Sequence, residues 1–209
     1  MKTSFILSAS VAIHTAIIAH ESEIESLDRA IGDGDHFINI KRGTETIVGL
    51  QNELQALPAD EALNKIGMKL LSTIGGASGP LFASFFMGMA KVIKQNGGDN
   101  PLEIAAAFAA GVQGIMQRGK ANLGEKTMLD VLIPVSTTFT LSAAEGKNLA
   151  EICVAIKLAA DAGLESTRNL IATKGRAAGL GERAIGHLDA GAKSSQVMVH
   201  AVCDLLIKD

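Results

Sequence analysis

The stretch Leu27-Asp28-Arg29-Ala30-Ile31-Gly32-Asp33-Gly34-Asp35-His36 decides how this 209-residue chain is read. Ahead of it, Ile6, Ile13, Ile17, Ile24 and Leu27 recur at helical spacing and predict a first helix over 4–27. Behind it, Ile40, Ile47, Leu50 and Leu54 predict a second over 37–55. The break between them gathers three carboxylates and an imidazole, with Asn39 close by. Gly32 and Gly34 let the backbone turn tightly, so Asp28, Asp33 and Asp35 can aim oxygens at one point. Carboxylates that close repel one another unless a cation neutralises them. Hard cations such as Mg²⁺ or Ca²⁺ prefer such oxygens. The spacing is not that of an EF-hand, whose loop ends on a glutamate ligand. The competing reading is a plain capping loop in which one Asp caps the second helix.

Working outward, Pro58 ends the second helical stretch, and a third helix is predicted over 60–74, stopped by Gly75-Gly76. A fourth begins near Ser78-Gly79-Pro80 and closes at Gly97-Gly98. Asn100-Pro101-Leu102-Glu103 supplies a cap, a proline at the first helical position and a capping-box acid for a fifth over 101–118. The sixth spans 126–144, where Pro134 is expected to kink it or sit early in a turn. Asn148 opens a seventh over 149–172, a polar glycine-rich loop fills 173–192, and an eighth helix covers 193–208. No segment shows strand alternation bounded by turns. The expected class is all-α, with residues 1–209 forming a single domain.

Composition narrows the function. With 47% hydrophobic and 20% charged residues the chain reads as folded rather than disordered. A net charge of -3 excludes a general nucleic-acid binder, and the absence of Trp and Tyr removes the usual base-stacking platforms. Cys153 and Cys203 sit in apolar helical patterns, as buried inert thiols do, so a cytoplasmic setting is expected. Met1-Lys2 followed by Phe5 to Ala19 loosely mimics a signal peptide, but His14 interrupts it and the helical pattern runs on to Leu27. No apolar run reaches the roughly 20 residues that span a bilayer, so no membrane role is expected.

The interhelical breaks carry the remaining chemistry. At the start of the second helix, His36 and Asn39 stand beside free amides that favour a phosphate. Gly75-Gly76-Ala77-Ser78-Gly79-Pro80 permits close backbone approach and adds a hydroxyl, although it lacks the Gly-Lys-Ser/Thr ending of a P-loop. In Arg118-Gly119-Lys120-Ala121-Asn122-Leu123-Gly124-Glu125-Lys126-Thr127-Met128-Leu129-Asp130, the cations Lys120 and Lys126 and the Thr127 hydroxyl are candidates to meet phosphates. Met128 either lies against a flat base or joins the core. In the stretch from Lys174 to Gly191, Arg176 is the candidate phosphate fork, and Asp189-Ala190-Gly191 the candidate cap and nucleotide contact.

Four motifs occur in order. They are Asp28-x4-Asp33-Gly-Asp35-His36; Gly75-Gly76-Ala77-Ser78-Gly79-Pro80; Arg118-Gly119-Lys120-Ala121 with Gly124-Glu125-Lys126-Thr127-Met128-x-Asp130; and Lys174-Gly175-Arg176-Ala177 with Leu180-Gly181-Glu182-Arg183-x-Ile185-Gly186-His187-x-Asp189. Together they closely resemble the nucleotide-binding L subunits of dihydroxyacetone kinases, across nearly the whole chain. The resemblance implies an eight-helix antiparallel barrel with ADP or ATP and two Mg²⁺ at one end. It carries over Asp28, Asp33 and Asp35 as metal ligands. It carries over His36, Asn39, Ala77, Ser78, Gly119, Met128, Arg176, Asp189 and Gly191 as nucleotide contacts.

It also implies a partner, a K-type subunit that holds a small ketose or polyol, without which this chain is expected to be inactive. The phosphoryl donor is either exchangeable ATP or a phosphocarrier protein of the sugar phosphotransferase system that recharges bound ADP. A homodimer stays open as a further assembly. Two departures stand out: Phe37 occupies a position that is usually Gly, and Asp189-Ala190-Gly191 replaces a frequent Asp-Pro-Gly. Phe37 would be strained at a positive φ, but tolerated and narrowing the site if the position is helical. Two rival functions are a non-catalytic nucleotide-binding regulator and a stand-alone Mg²⁺-dependent phosphate-ester hydrolase.

Overall fold

The periodic apolar positions fold as ten α-helices in the computed structural model, which describes residues 1–208, with side chains through Ile207. They are α1 (Thr3–Ala19), α2 (Glu21–Ile31), α3 (His36–Gly49), α4 (Gln51–Leu54), α5 (Ala59–Thr73), α6 (Ser78–Asn96), α7 (Pro101–Gly119), α8 (Leu129–Ala144), α9 (Leu149–Ser166) and α10 (Ala190–Lys208). No strand occurs among the described residues. The all-α expectation therefore holds, with two of the expected helices each broken once.

The first break falls at His20, whose Nδ1 lies 2.8 Å from the Ala16 carbonyl oxygen. Its backbone leaves the helical region, and α2 departs from α1 at 65°. The second falls at Leu50, behind Gly49, and leaves α4 as a single turn. Set α2 and α4 aside and the other eight helices close a ring. Each packs on the next, from α1 on α3 and α3 on α5 through to α9 on α10, and α10 returns onto α1.

Neighbours run antiparallel, as the small residues at the α6–α7 crossing record. Gly88 faces Ala110, Gly111 faces Phe85 and Gly114 faces Ser84, so numbers rise on one helix as they fall on the other. A Cβ at Gly88 would sit 2.7 Å from the Ala110 carbonyl oxygen, which is why the two backbones can approach only with glycine there. At the α8–α9 crossing the cause is proline. Pro134 sits inside α8 and has no N–H to offer the Asp130 carbonyl four residues back. Gly163 of α9 packs onto that carbonyl so closely that a Cβ would lie 2.3 Å from its oxygen.

Apolar side chains fill the ring. Ile17, Ile24, Phe37, Ile40 and Val197 form one cluster between α1, α2, α3 and α10. Burial of each such side chain contributes roughly 1.5–3 kcal/mol. Phe37 is 2% exposed inside this cluster and lies within α3, so it has no positive φ to strain it. Rather than narrowing the site, it acts as a core residue. Cys153 and Cys203 are both free and buried, between α9 and α10. Among the described residues no single helix is long and apolar enough to cross a membrane; only the bent α1–α2 pair passes by combined length and composition.

An antiparallel ring sends alternate connections to opposite ends. The short links near Leu57, Gly98 and Gly146 lie at the end where the Met1 amino group donates to the Gly98 carbonyl and Thr3 Oγ1 donates to the Leu57 carbonyl at 2.7 Å. The four links rich in Gly and charge lie at the other. The last of them differs from the structureless loop expected over 173–192. Its residues 176–184 form 3₁₀ turns interrupted at Gly181, where φ is 57°. Ala177, Leu180 and Ala184 of these turns pack with Ala172 against Ile31 of α2, which folds the segment down onto the acidic break. The seventh helix accordingly stops at Ser166, and α10 starts at Ala190.

Candidate functional site

The acidic break is built from both flanking helices. Asp28 occupies the last turn of α2 and is buried; its Oδ2 accepts the backbone N–H of His36 at 3.0 Å, closing the start of α3. Gly32 donates back to the Asp28 carbonyl at 2.5 Å, and Gly34 takes a φ of 79°, so the chain reverses within four residues. Asp33 and Asp35 are exposed. One oxygen from each of the three carboxylates lies within 4.8 Å of the others. Both the metal reading and the capping reading thus have a structural counterpart: Asp28 caps α3 and joins the cluster. A purely oxygen donor set with three negative charges fits a hard divalent cation.

Arg176, exposed at the start of the 3₁₀ turns, places its Nε 2.6 Å from Asp33 Oδ2. The pair is solvent-exposed, so it contributes little to stability, but it sets a guanidinium beside the cluster. His36 reaches the opposite way, with Nε2 3.0 Å from Ser194 Oγ in α10. Burial pulls its imidazole below the ordinary value, against the opposing charges of Asp28 and Asp35. Ser194 was not legible as a site residue, since a small hydroxyl on an apolar helix carries no motif of its own.

The other loops close around this corner. Asn39, buried one turn into α3, lies under Gly75: a Cβ at Gly75 would be 3.7 Å from Asn39 Oδ1. Gly76 at φ 63° then turns the chain into α6, whose N-cap Ala77 provides no side-chain cap, so the first amides of α6, at Ser78 and Gly79, stand at the positive end of a helix dipole. Gly119, at the end of α7, sits against Leu81 of α6. Met128 is 8% exposed, in a core cluster with Ile115, Leu129 and Leu132, while its backbone nitrogen and Cβ face Gly191. Asp189 caps α10, with Oδ2 accepting the Ala192 N–H at 2.7 Å. Burial, aided by the nearby Asp130 charge, raises its carboxyl to about 6. Ala190 fits this turn as the first residue of α10 and is buried there, so the absence of proline leaves it well packed.

One residue departs from what its spacing suggests. Lys126 does not face a phosphate. It is 1% exposed, and its Nζ donates to the carbonyls of Thr167 and His187, each at 2.6 Å. Asp130, in the first turn of α8, is equally buried and accepts from Gly124 N at 2.5 Å and Thr127 N at 2.7 Å, which ties the preceding loop to the helix. A motif shows charge and spacing but not which side of a loop faces inward. Lys120 remains exposed, as the left-handed residue that ends α7.

The chain as a whole matches known proteins in sequence and fold. The DAK2 domain matches residues 30–204. The chain is 40% identical over 179 residues, 86% of its length and 84% of the relative's, to the ADP-binding subunit DhaL of PEP-dependent dihydroxyacetone kinase 1 from Listeria innocua. It is 36% identical over 188 residues, 90% of its length and 89% of the relative's, to the ADP-binding subunit DhaL of the PTS-dependent dihydroxyacetone kinase of Lactococcus lactis. Among solved structures, dihydroxyacetone kinase from C. freundii in complex with AMP-PNP and Mg²⁺ superimposes with a TM-score of 0.76 at 25% identity, covering 97% of this chain and 34% of that one. Sequence and fold agree: the chain belongs to the DAK2-domain family, among the DhaL subunits of dihydroxyacetone kinases.

Proposed function

We propose that this chain is the nucleotide- and Mg²⁺-binding subunit of a dihydroxyacetone-kinase-like phosphotransferase, passing a phosphoryl group to a small ketose or polyol held on a separate K-type subunit. The observation that carries this reading is the convergence of the Asp28, Asp33 and Asp35 oxygens within 4.8 Å, at the end of the ring where the glycine-bearing turns and Arg176 gather. The relatives' names, ADP-binding subunits of PEP- or PTS-dependent kinases, support a retained ADP recharged by a phosphocarrier protein over freely exchanging ATP. A cytoplasmic setting goes with that assignment.

In this reading Asp28, Asp33 and Asp35 hold the metal, and Asn39, Ala77, Ser78, Gly119, Met128, Asp189 and Gly191 contact the nucleotide, with His36 alongside. Bound Mg²⁺ supplies positive charge against the phosphate oxygens. The chain's own share is positioning: Arg176 provides a forked donor, the first amides of α6 provide fixed dipoles, and Asp28 anchors the acidic turn through His36. Phosphoryl transfer depends on little beyond such placement and charge.

Calorimetry with ADP and Mg²⁺ tests it. Wild type is expected to bind, and Asp33→Ala to lose Mg²⁺-dependent affinity; equal ADP affinity in the two proteins overturns the metal assignment. Mass measurement of the nucleotide co-purifying with the chain, followed by exchange against labelled ATP, separates the donors: tightly retained ADP supports the phosphocarrier. The purified chain alone is expected to phosphorylate no ketose.

A further inference from the structure

The proposed function leaves Lys126 without a role, although it is among the most deeply buried charged side chains described. Its ammonium joins three segments. The lysine belongs to the link between α7 and α8; the Thr167 carbonyl, 2.6 Å away, lies in the turn just past α9; the His187 carbonyl, also at 2.6 Å, lies just before α10. Hydrogen bonds this short from a charged donor are at the strong end of the range. The backbone pays for the placement, since Lys126 takes a φ of 59°, a left-handed conformation that costs a side-chain-bearing residue free energy and persists only where its surroundings hold it.

The bonds continue from there to the last glycine turn. Thr167 accepts the Asp189 N–H on its own Oγ1 at 3.1 Å. Asp189 accepts the Ala192 N–H, and Gly191 stands against the Met128 backbone, two residues beyond Lys126. The turn is therefore reached from Lys126 on both sides: through Thr167 and His187, and through the chain to Met128. Asp189 and Asp130 supply the opposing charges that help keep the ammonium protonated against burial.

We propose that Lys126 is a positioning residue for the nucleotide, acting through Thr167 and His187 to hold the Asp189–Gly191 turn in place. The proposal rests on the reading above that Asp189 and Gly191 contact the nucleotide. Lys126→Met would remove the donor that links these segments, leaving the His187 carbonyl without it and the Thr167 carbonyl with the Leu170 N–H alone, and release the turn, while the acidic cluster on the α2–α3 link, which shares none of these bonds, would keep its geometry.

The test compares the full-length wild type with Lys126→Met and Thr167→Val. The second variant keeps the Thr167 carbonyl for Lys126 but removes the Oγ1 that accepts from Asp189, so the test survives if the first fails to fold. Hydrogen exchange without nucleotide is expected to quicken about tenfold over residues 185–192, with α6 and α7 unchanged. The dissociation constant for ADP is expected to rise about tenfold, with affinity for Mn²⁺ alone, a probe of the acidic cluster, staying within about twofold. A lesion of general stability would instead move α6, α7 and Mn²⁺ binding as well, and overturns the proposal. So does unchanged exchange at 185–192, or a loosened turn with unchanged ADP affinity. A wild type that binds no ADP brings down the functional reading itself, and the exchange data then judge the Lys126 tether by itself.

Discussion

Replacing Asp189 with Asn separates the charge of this carboxyl from its shape. In the folded protein burial raises its pKa to about 6, with Asp130 pushing the same way and Lys126 and the Ala192 N–H opposing. The unfolded value is about 3.9. The folded state therefore holds its proton more tightly than the unfolded chain. The resulting stability is fully present below about pH 4 and is lost as pH rises through about 6. A gap of about two pKa units corresponds to about 3 kcal/mol between the two limits. Asp189→Asn keeps an oxygen for the Ala192 N–H and removes the ionisation. The measurement is denaturant unfolding of both proteins, stripped of nucleotide, at pH 4, 5, 6 and 7. Any constant cost of the substitution and all other titrations largely cancel in the difference between the two curves. Because pH 4 lies at the unfolded pKa rather than at the acid limit, that difference should tilt in favour of the Asn variant by about 2.3 kcal/mol from pH 4 to pH 7, or roughly 5–9 °C in Tm for a chain of this size. A difference that stays flat over this range would refute the claim that the carboxyl is held in a setting hostile to its charge.

Three further outcomes follow from packing. Phe37→Ala should cost about 3–5 kcal/mol in urea unfolding, because the ring is buried in the cluster with Ile17, Ile24 and Ile40; a loss under 1 kcal/mol would place the side chain at the site instead. Gly163→Ala should lower stability by about 1–3 kcal/mol, since its Cβ meets the Asp130 backbone at 2.3 Å and the α8–α9 crossing must open; an unchanged denaturation midpoint would contradict that close approach. A thiol reagent such as DTNB should label neither Cys153 nor Cys203 in the native protein and both after unfolding, as burial also pushes each thiol up; rapid native labelling would disprove it.

What the sequence reveals follows what its signals measure. Apolar periodicity reports which residues turn away from water, so the helix faces and the all-α class were readable in advance. It is blind to breaks that keep the same face buried, and so Ile17 and Ile24 lie in one cluster although the chain bends by 65° between them. Glycine and charge marked the four loops at this end of the ring, and the structure joins them through His36–Ser194, Asn39–Gly75, Gly119–Leu81 and Gly191–Met128. The direction of a side chain within a loop was not readable. Lys126 and Lys120 look alike in a motif, yet one is sealed inside by two carbonyls and the other is exposed. The 3₁₀ turns over 176–184 carry no sequence signal because four apolar residues among two glycines and three charges give no period, although three of the four dock on Ile31.

Burial divides the three acids into different mechanical parts. Asp28 is enclosed and its Oδ2 already engaged by the His36 amide, so its carboxylate is fixed by the α2 and α3 termini whatever occupies the site. Asp33 and Asp35 stand in water, where repulsion between charges is weak enough for the turn to fold without a counter-ion. Arg176 supplies a counter-charge for Asp33 alone, across an exposed contact that is readily exchanged. For a cation held as proposed, one ligand is thus preorganised, and the other two need only small adjustments within a glycine-flanked turn. The helix termini fix Asp28, while Asp33 and Asp35 keep the freedom of an exposed, glycine-flanked turn. That arrangement explains how a cluster of like charges can be built on a stable all-helical frame without destabilising it.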